Sequence, residues 1–216
     1  IDLLCTDQGS IFDPWFSTNS YLFRKNANGL GKSIIQSEIQ LADLLEPKRN
    51  YHLEEGNALL SSLTNESAKY VVCFPPFLAR NLGSLKDSSG DFATDLLIHS
   101  ADDLQGNPEL IFLMSGRFCF DKKIESSLRR HNIGVKAAFH LPEGSHLPFT
   151  NISSYLVVAQ QDYEGQTFIA ELSNNDDSNR TIYNNFKNSR PGRSVELGVL
   201  KHFSDFKSFE SLSKNE

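Results

Sequence analysis

Apolar residues recur along this chain in two rhythms. Short runs of β-branched and aromatic residues have the length and composition of strands, and longer stretches with apolar positions three and four apart have the period of helices. GSIFDP (residues 9–14) predicts a first strand and NSYLFRKN after it a helix start. KSIIQSEI (residues 32–39) predicts a second strand, followed by a brief helical piece, LADLLE, stopped by Pro47. YHLEEGN (residues 51–57) is a weaker third strand and YVVCF (residues 70–74) a fourth. A Gly- and Ser-rich loop at residues 83–90 precedes DFATDLLIHSADDL, where Ala93, Leu97, Ala101 and Leu104 share one helical face with Phe92 and Leu96 beside it. ELIFLMSG reads as a fully buried strand, KKIESSLRRHN as a polar-faced helix, and VKAAFHLP and SSYLVVAQQ as two further strands. TFIAELS (residues 167–173) adds an edge strand.

The alternation predicts an α/β fold with a mostly parallel sheet. From Asn174 the composition turns polar. The expected division is therefore one domain over residues 1–173 and a polar C-terminal extension over 174–216, with a short helical tail at about residues 195–209.

Composition narrows the class. A chain of 216 residues with 39% hydrophobic and 22% charged residues suits a globular, soluble protein, and no apolar run approaches the roughly 18 residues that span a bilayer. The first residue is Ile1 and the single methionine is Met114, which reads as a piece of a longer chain. Cys5, Cys73 and Cys119 are odd in number and widely spaced, as expected of reduced cysteines in a cytoplasmic protein. Neither they nor the six histidines show metal-ligand spacing, so no metal site is expected. The net charge of −6 lacks the basic excess of a free-standing DNA-binding module. If nucleic acid is the substrate, other segments must do much of the gripping.

The stretch YVVCFPPF carries the first chemical signal. Pro75 and Pro76 cannot donate a ladder hydrogen bond, so the strand must end before them. A rigid turn between two phenylalanines, at the carboxyl end of a parallel strand, sits where open α/β sheets place their ligands. The bland reading is a Pro-Pro pair that only ends a strand, with its aromatics in the core.

Seven strands with the last two joined directly suit the sheet of S-adenosylmethionine-dependent methyltransferases. A dinucleotide-binding Rossmann domain would need G-x-G-x-x-G after the first strand, and FDPWFSTNS has no glycine. Over residues 10–161 the order of motifs resembles the catalytic domain of adenine-N6 DNA methyltransferases, most closely the modification subunits of type I restriction systems. The family's cofactor motif D-P-x-x-G-T-G-S matches Asp13, Pro14, Thr18 and Ser20, with Ser17 and Asn19 at its glycines. The acidic residue that ends its second strand and bonds the ribose matches Glu38. Its Gly-Asp after the third strand, which contacts the cofactor's adenine, falls on Gly56 and Asn57. Its N-P-P-F or D-P-P-Y signature falls on Phe74, Pro75, Pro76 and Phe77, and L-P-x-G-x-x-x-P-[FY]-T on LPEGSHLPFT.

The resemblance implies S-adenosylmethionine as cofactor and a target adenine flipped out of the duplex. The backbone carbonyl of Pro75 would face its exocyclic amine and Phe77 would stack on the base. It also implies DNA as partner, reached through other domains or a separate specificity subunit. The departures point the other way. Phe74 has no lone pair to offer the amine, and losing one positioned acceptor costs on the order of a hundredfold in rate. Ser17 and Asn19 replace residues that allow positive φ, and Asn57 keeps one oxygen but loses the charge. The sequence therefore predicts a methyltransferase-like domain with impaired or absent catalysis. An active adenine-N6 enzyme stands as the alternative. A small-molecule or RNA methyltransferase would suit the acidic charge but not the PPF turn or the LPEG segment. Outside the resemblance, Glu38 reads as a solvated strand-end residue, and His140 and His146 as satisfied loop histidines. Lys122, Lys123, Arg129 and Arg130 read as a solvated helix face, and Phe118 and Phe120 as core.

Overall fold

The computed structural model describes residues 1–5, 9–17, 20–25, 27–60, 62–63, 67–77, 88–146 and 152–213. The chain forms two compact units, one of Cys5–Phe112 and one of Ile1–Leu4 with Leu113–Glu216.

In the first unit every strand pairing is parallel. Strand β1 (Ile11–Asp13) lies between β2 (Gly29–Ser33) and β4 (Tyr70–Cys73); β3 (Tyr51–Glu55) flanks β2, and β5 (Glu109–Ser115) pairs β4 through its first four residues. Between the strands run helices α1 (Tyr21–Lys25), α2 (Gln36–Leu45) and α3 (Phe92–Asp103). Helix α3 begins where Asp91 accepts the Thr94 N–H, and it buries Leu96 and Leu97 completely. Phe12, Val71, Leu110 and Ile111 are buried in the core of this unit.

The second strand corrects the sequence reading. Ile34 and Ile35 suggested a strand over residues 32–39, yet both are about half exposed and pairing stops at Ser33, whose Oγ accepts the Ile35 N–H at 3.2 Å and turns the chain into α2. The strand instead begins at Gly29, in a glycine-rich run that propensity alone disfavours. A Cβ at Gly29 would stand 2.0 Å from the Ile11 carbonyl oxygen, and one at Gly31 2.8 Å from Leu53 and 3.0 Å from the Phe16 ring. Close packing selects glycine here.

The second unit is mixed. Strand β6 (Ile133–His140) pairs antiparallel with β7 (Ser154–Gln161) and parallel with β8 (Thr167–Glu171), and β9 (Val199–Lys201) runs antiparallel on β8. The described residues thus hold nine strands rather than seven, and β8 is an interior strand rather than an edge. Helix α4 (Lys122–Arg130) buries Ile124 and Leu128 while Arg129 bonds Glu125 across one exposed turn. The polar run after Asn174 forms helix α5 (Asp176–Lys187), capped by the Asn175 side chain. Its Ile182 is buried and its Phe186 ring meets Phe139 and Phe168 at 5.6 and 5.8 Å. Two apolar residues per three turns are enough to dock a helix, and the polar composition concealed them. The tail is β9, a short 3-10 turn at Phe203–Asp205 and helix α6 (Phe209–Ser213), not a single helical stretch. Phe118 is buried as expected, whereas Phe120 is 62% exposed.

Candidate functional site

Strand β1 has parallel neighbours on both sides that belong to opposite directions of chain progress, so the carboxyl ends of β1 and β4 frame a switch point. Asp13 ends β1 there with no exposed surface. Its Oδ1 accepts the Trp15 N–H at 3.0 Å and its carboxyl bonds the Ser20 side chain, while Oδ2 is buried without a hydrogen-bond partner. Burial pushes the Asp13 carboxyl up from its ordinary 3.8 to about 7, against the opposing pull of the Trp15 and Ser20 bonds. The Cys73 thiol, at the end of β4, is driven well above the ordinary thiol range by burial first and by the Asp13 charge second. This mutual influence places Asp13, Trp15, Ser20 and Cys73 in one cluster. Trp15, half-buried, also meets Phe92 edge-on at 4.9 Å.

The rest of the first loop is built from packing. Pro14 is buried, and Phe16 is buried with its N–H on the Lys32 carbonyl at 2.8 Å and its ring 5.9 Å from Tyr51. Ser17 is half-buried and its carbonyl accepts the Ser20 N–H at 2.9 Å, closing a turn. Ser20 is buried and leads into α1, its Oγ accepting the Phe23 N–H at 3.4 Å. Thr18 and Asn19 lie outside the described residues, as do most of the 83–90 loop and the end of LPEGSHLPFT.

Glu38 is not at a strand end. It sits half-buried in the first turn of α2, and the residues that close β2 are Lys32 and Ser33. The acidic partner at this level is Glu54 on β3, in register with Lys32 and 3.3 Å from its Nζ. Asn57 is half-buried and its Oδ1 accepts the Leu59 N–H at 3.0 Å, so that oxygen serves the turn after β3. Gly56 donates to the Ser33 carbonyl at 2.9 Å, and a Cβ on it would meet nothing within 4 Å. At the end of β4, Phe74 is half-buried, Pro75 buried, Pro76 exposed and Phe77 half-buried. The strand stops at Cys73, as a Pro-Pro pair requires.

Of the residues that sequence reasoning proposed, Asp13 and Ser20 lie together in this cluster and the PPF turn follows β4, whereas Trp15, Cys73 and the Lys32–Glu54 pair were not singled out. Cys73 looked like core because it is apolar by neighbourhood, and only its position one residue before the turn could have singled it out. Among the described residues no group of three or more His, Cys, Asp or Glu could hold a metal ion. Among them, too, no helix is long and apolar enough to cross a membrane.

No protein-family model and no curated protein matches the sequence. Solved structures do match by shape. The methyltransferase subunit of a type I restriction-modification system from Streptococcus thermophilus superposes with a TM-score of 0.69 at 15% identity, covering 95% of this chain and 52% of that one. A Vibrio vulnificus YJ016 protein described as a type I restriction enzyme modification subunit gives 0.63 at 15%, covering 78% and 43%. MmeI, a type IIL restriction-modification enzyme solved in complex with DNA, gives 0.58 at 12%, covering 80% and 34%. The chain spans about half the length, or less, of these three structures. Parallel strands around a β1/β4 switch point, an antiparallel β6–β7 pair and these likenesses together show that the chain has the Rossmann-like α/β fold of class I S-adenosylmethionine-dependent methyltransferases.

Proposed function

We propose that this chain is an adenine-N6 DNA methyltransferase-like domain of a restriction-modification or related system, cytoplasmic, with catalysis impaired. On this reading residues 1–173 carry the domain, residues 174–216 extend it, and DNA is gripped by other domains or a specificity subunit. The observation that carries the proposal is Phe74. It follows directly on β4 at the switch point, half-buried beside Cys73, and it is the residue that the resemblance aligns with the lone-pair donor methyl transfer to an amine needs.

The cofactor reading has support of a different kind. A buried carboxylate oxygen with no partner, Asp13 Oδ2, suits a cationic group such as the ammonium of S-adenosylmethionine. Asp13, Ser17 and Ser20 on the first loop, with Gly56 and Asn57 beyond β3, are the residues that would hold it. When bound, S-adenosylmethionine supplies an electrophilic methyl group. The chain's own part is positioning: Pro75 and Pro76 fix the backbone, the Pro75 carbonyl accepts one amine hydrogen, and Phe77 offers a face for the base. The second acceptor is missing, and no described strand-end carboxylate on β2 replaces Glu38 for the ribose.

Calorimetric titration with S-adenosylmethionine and S-adenosylhomocysteine, paired with transfer of labelled methyl to DNA, tests the proposal. The expected result is cofactor binding without methylation, and a gain of transfer in Phe74→Asn. Methylation of DNA adenine by the unaltered chain would establish the active-enzyme alternative instead.

A further inference from the structure

A second cluster, confined to the unit of Leu113–Glu216, carries chemistry that methyl transfer does not use. His140 ends β6, Glu171 is its in-register neighbour at the end of β8, and Ser153 immediately precedes β7. Period-two alternation puts all three on one face: His140 pairs with Tyr155, and Ser153 lies two residues before it. The imidazole Nδ1 is 3.0 Å from Glu171 Oε1, and Nε2 is 3.2 Å from Ser153 Oγ. An ionised carboxylate only accepts, so Nδ1–H donates to Glu171 and the Nε2 lone pair accepts from the Ser153 hydroxyl. The ring is held in place: its side chain is 5% exposed, Phe209 stacks on it at 5.4 Å and 12°, and Tyr155 stands 5.0 Å away, its hydroxyl accepting the Phe209 N–H. Ser153 itself is exposed. The neighbouring pair, His146 Nε2 with Ser154 Oγ at 2.7 Å, differs in that Ser154 is buried and closed to a substrate.

We propose that Ser153, His140 and Glu171 form a nucleophile, base and orienting carboxylate that accept an acyl group from activated carboxylic esters. The two spacings fall within the range such relays use, and Ser153 is the most exposed of the three, with the base buried and Glu171 half-buried. In the acylation step Nε2 takes the Ser153 proton as Oγ bonds to the ester carbonyl carbon. The bond from that carbon to the leaving oxygen breaks, and Nε2 returns the proton to the departing alcohol. In the second step water gives a proton to Nε2 and its oxygen bonds to the acyl carbon. The Ser153 oxygen leaves, taking that proton, and a carboxylic acid departs. Ser153 and His140 are the catalytic residues. Glu171 is a positioning residue, fixing the tautomer and stabilising the imidazolium. The Gly116 N–H donates to the Ser153 carbonyl at 2.8 Å, which anchors the backbone that carries the nucleophile.

The test is the full chain with p-nitrophenyl acetate, following p-nitrophenol release and mapping the acetyl group by peptide mass spectrometry. The expected result is one acetyl group on Ser153, none there in Ser153→Ala, and a burst rate that rises with pH through a single deprotonation. Glu171→Gln, which keeps the side chain's shape, slows the burst by about a hundredfold or more and moves that deprotonation to lower pH, while circular dichroism stays unchanged. Acetylation confined to lysines, or a Glu171→Gln burst with the wild-type rate and pH profile, overturns the proposal. Neither outcome bears on cofactor binding in Cys5–Phe112.

Discussion

Asp13→Asn is the most informative single change in the molecule. The wild-type carboxyl is fully buried, and moving from 3.8 to about 7 it favours its neutral form by about 4 kcal/mol, at about 1.4 kcal/mol for each pH unit between the two values. The sign follows from proton counting. Between those values the folded state holds a proton that the unfolded state has lost, so the contribution of Asp13 to stability falls as pH rises through the window and levels off above about 7. About 2 to 3 kcal/mol of the change falls between pH 5 and pH 8. Asparagine keeps an oxygen for the Trp15 N–H but places an amide where Oδ2 has no partner, at a cost of about 1 to 3 kcal/mol that does not depend on pH. The variant should therefore gain on wild type by about 2 to 3 kcal/mol between pH 5 and pH 8. Urea unfolding followed by the fluorescence of Trp15, the single tryptophan, reads this at the site itself. Wild-type and variant stabilities that run parallel across the range would refute the reasoning, because an ordinary carboxyl at Asp13 contributes no slope there.

Gly29→Ala, which puts a Cβ on the Ile11 carbonyl, should cost about 3 kcal/mol or more and broaden unfolding, whereas Gly56→Ala, with open space around it, should stay within about 0.5 kcal/mol of wild type. Thermal unfolding of the two variants side by side checks the pair. Cys73, buried with its thiol raised, should resist iodoacetamide at pH 8 in the native chain and react once urea unfolds it. Quantifying alkylation by peptide mass spectrometry with and without urea decides this.

Much of the α/β alternation was legible because strands such as YVVC and LIFLM are largely buried and helix α3 repeats Ala93, Leu97 and Ala101 at helical spacing. The failures share a cause in tertiary contact. Strand β2 depends on glycines that only matter once Ile11 and Leu53 press against them, so propensity moved it to the exposed Ile34 and Ile35 and carried Glu38 to a strand end it does not occupy. Helix α5 and β9 owe their places to Phe186, Ile182 and the Phe168 ring, which a polar average over the segment hides. Within the site, Asp13 and the PPF turn stood out through residue type and spacing. Trp15 and the Lys32–Glu54 pair did not, since bringing β1 to Cys73, or β2 to β3, is a fact of register.

The parallel sheet of the first unit also dictates how its site comes into being during folding. Ile11 pairs with Gly29, 18 residues on, but with Tyr70, 59 residues on, and no other pairing among the described residues of that unit closes so long a separation. Bringing β4 home therefore carries the largest loop-closure entropy among these pairings. The same event strips water from the Asp13 carboxyl by setting Cys73 beside it. The entropically uphill contact and the electrostatically uphill burial are one step, and mild acid, by supplying the proton, lowers the second cost and leaves the first unchanged.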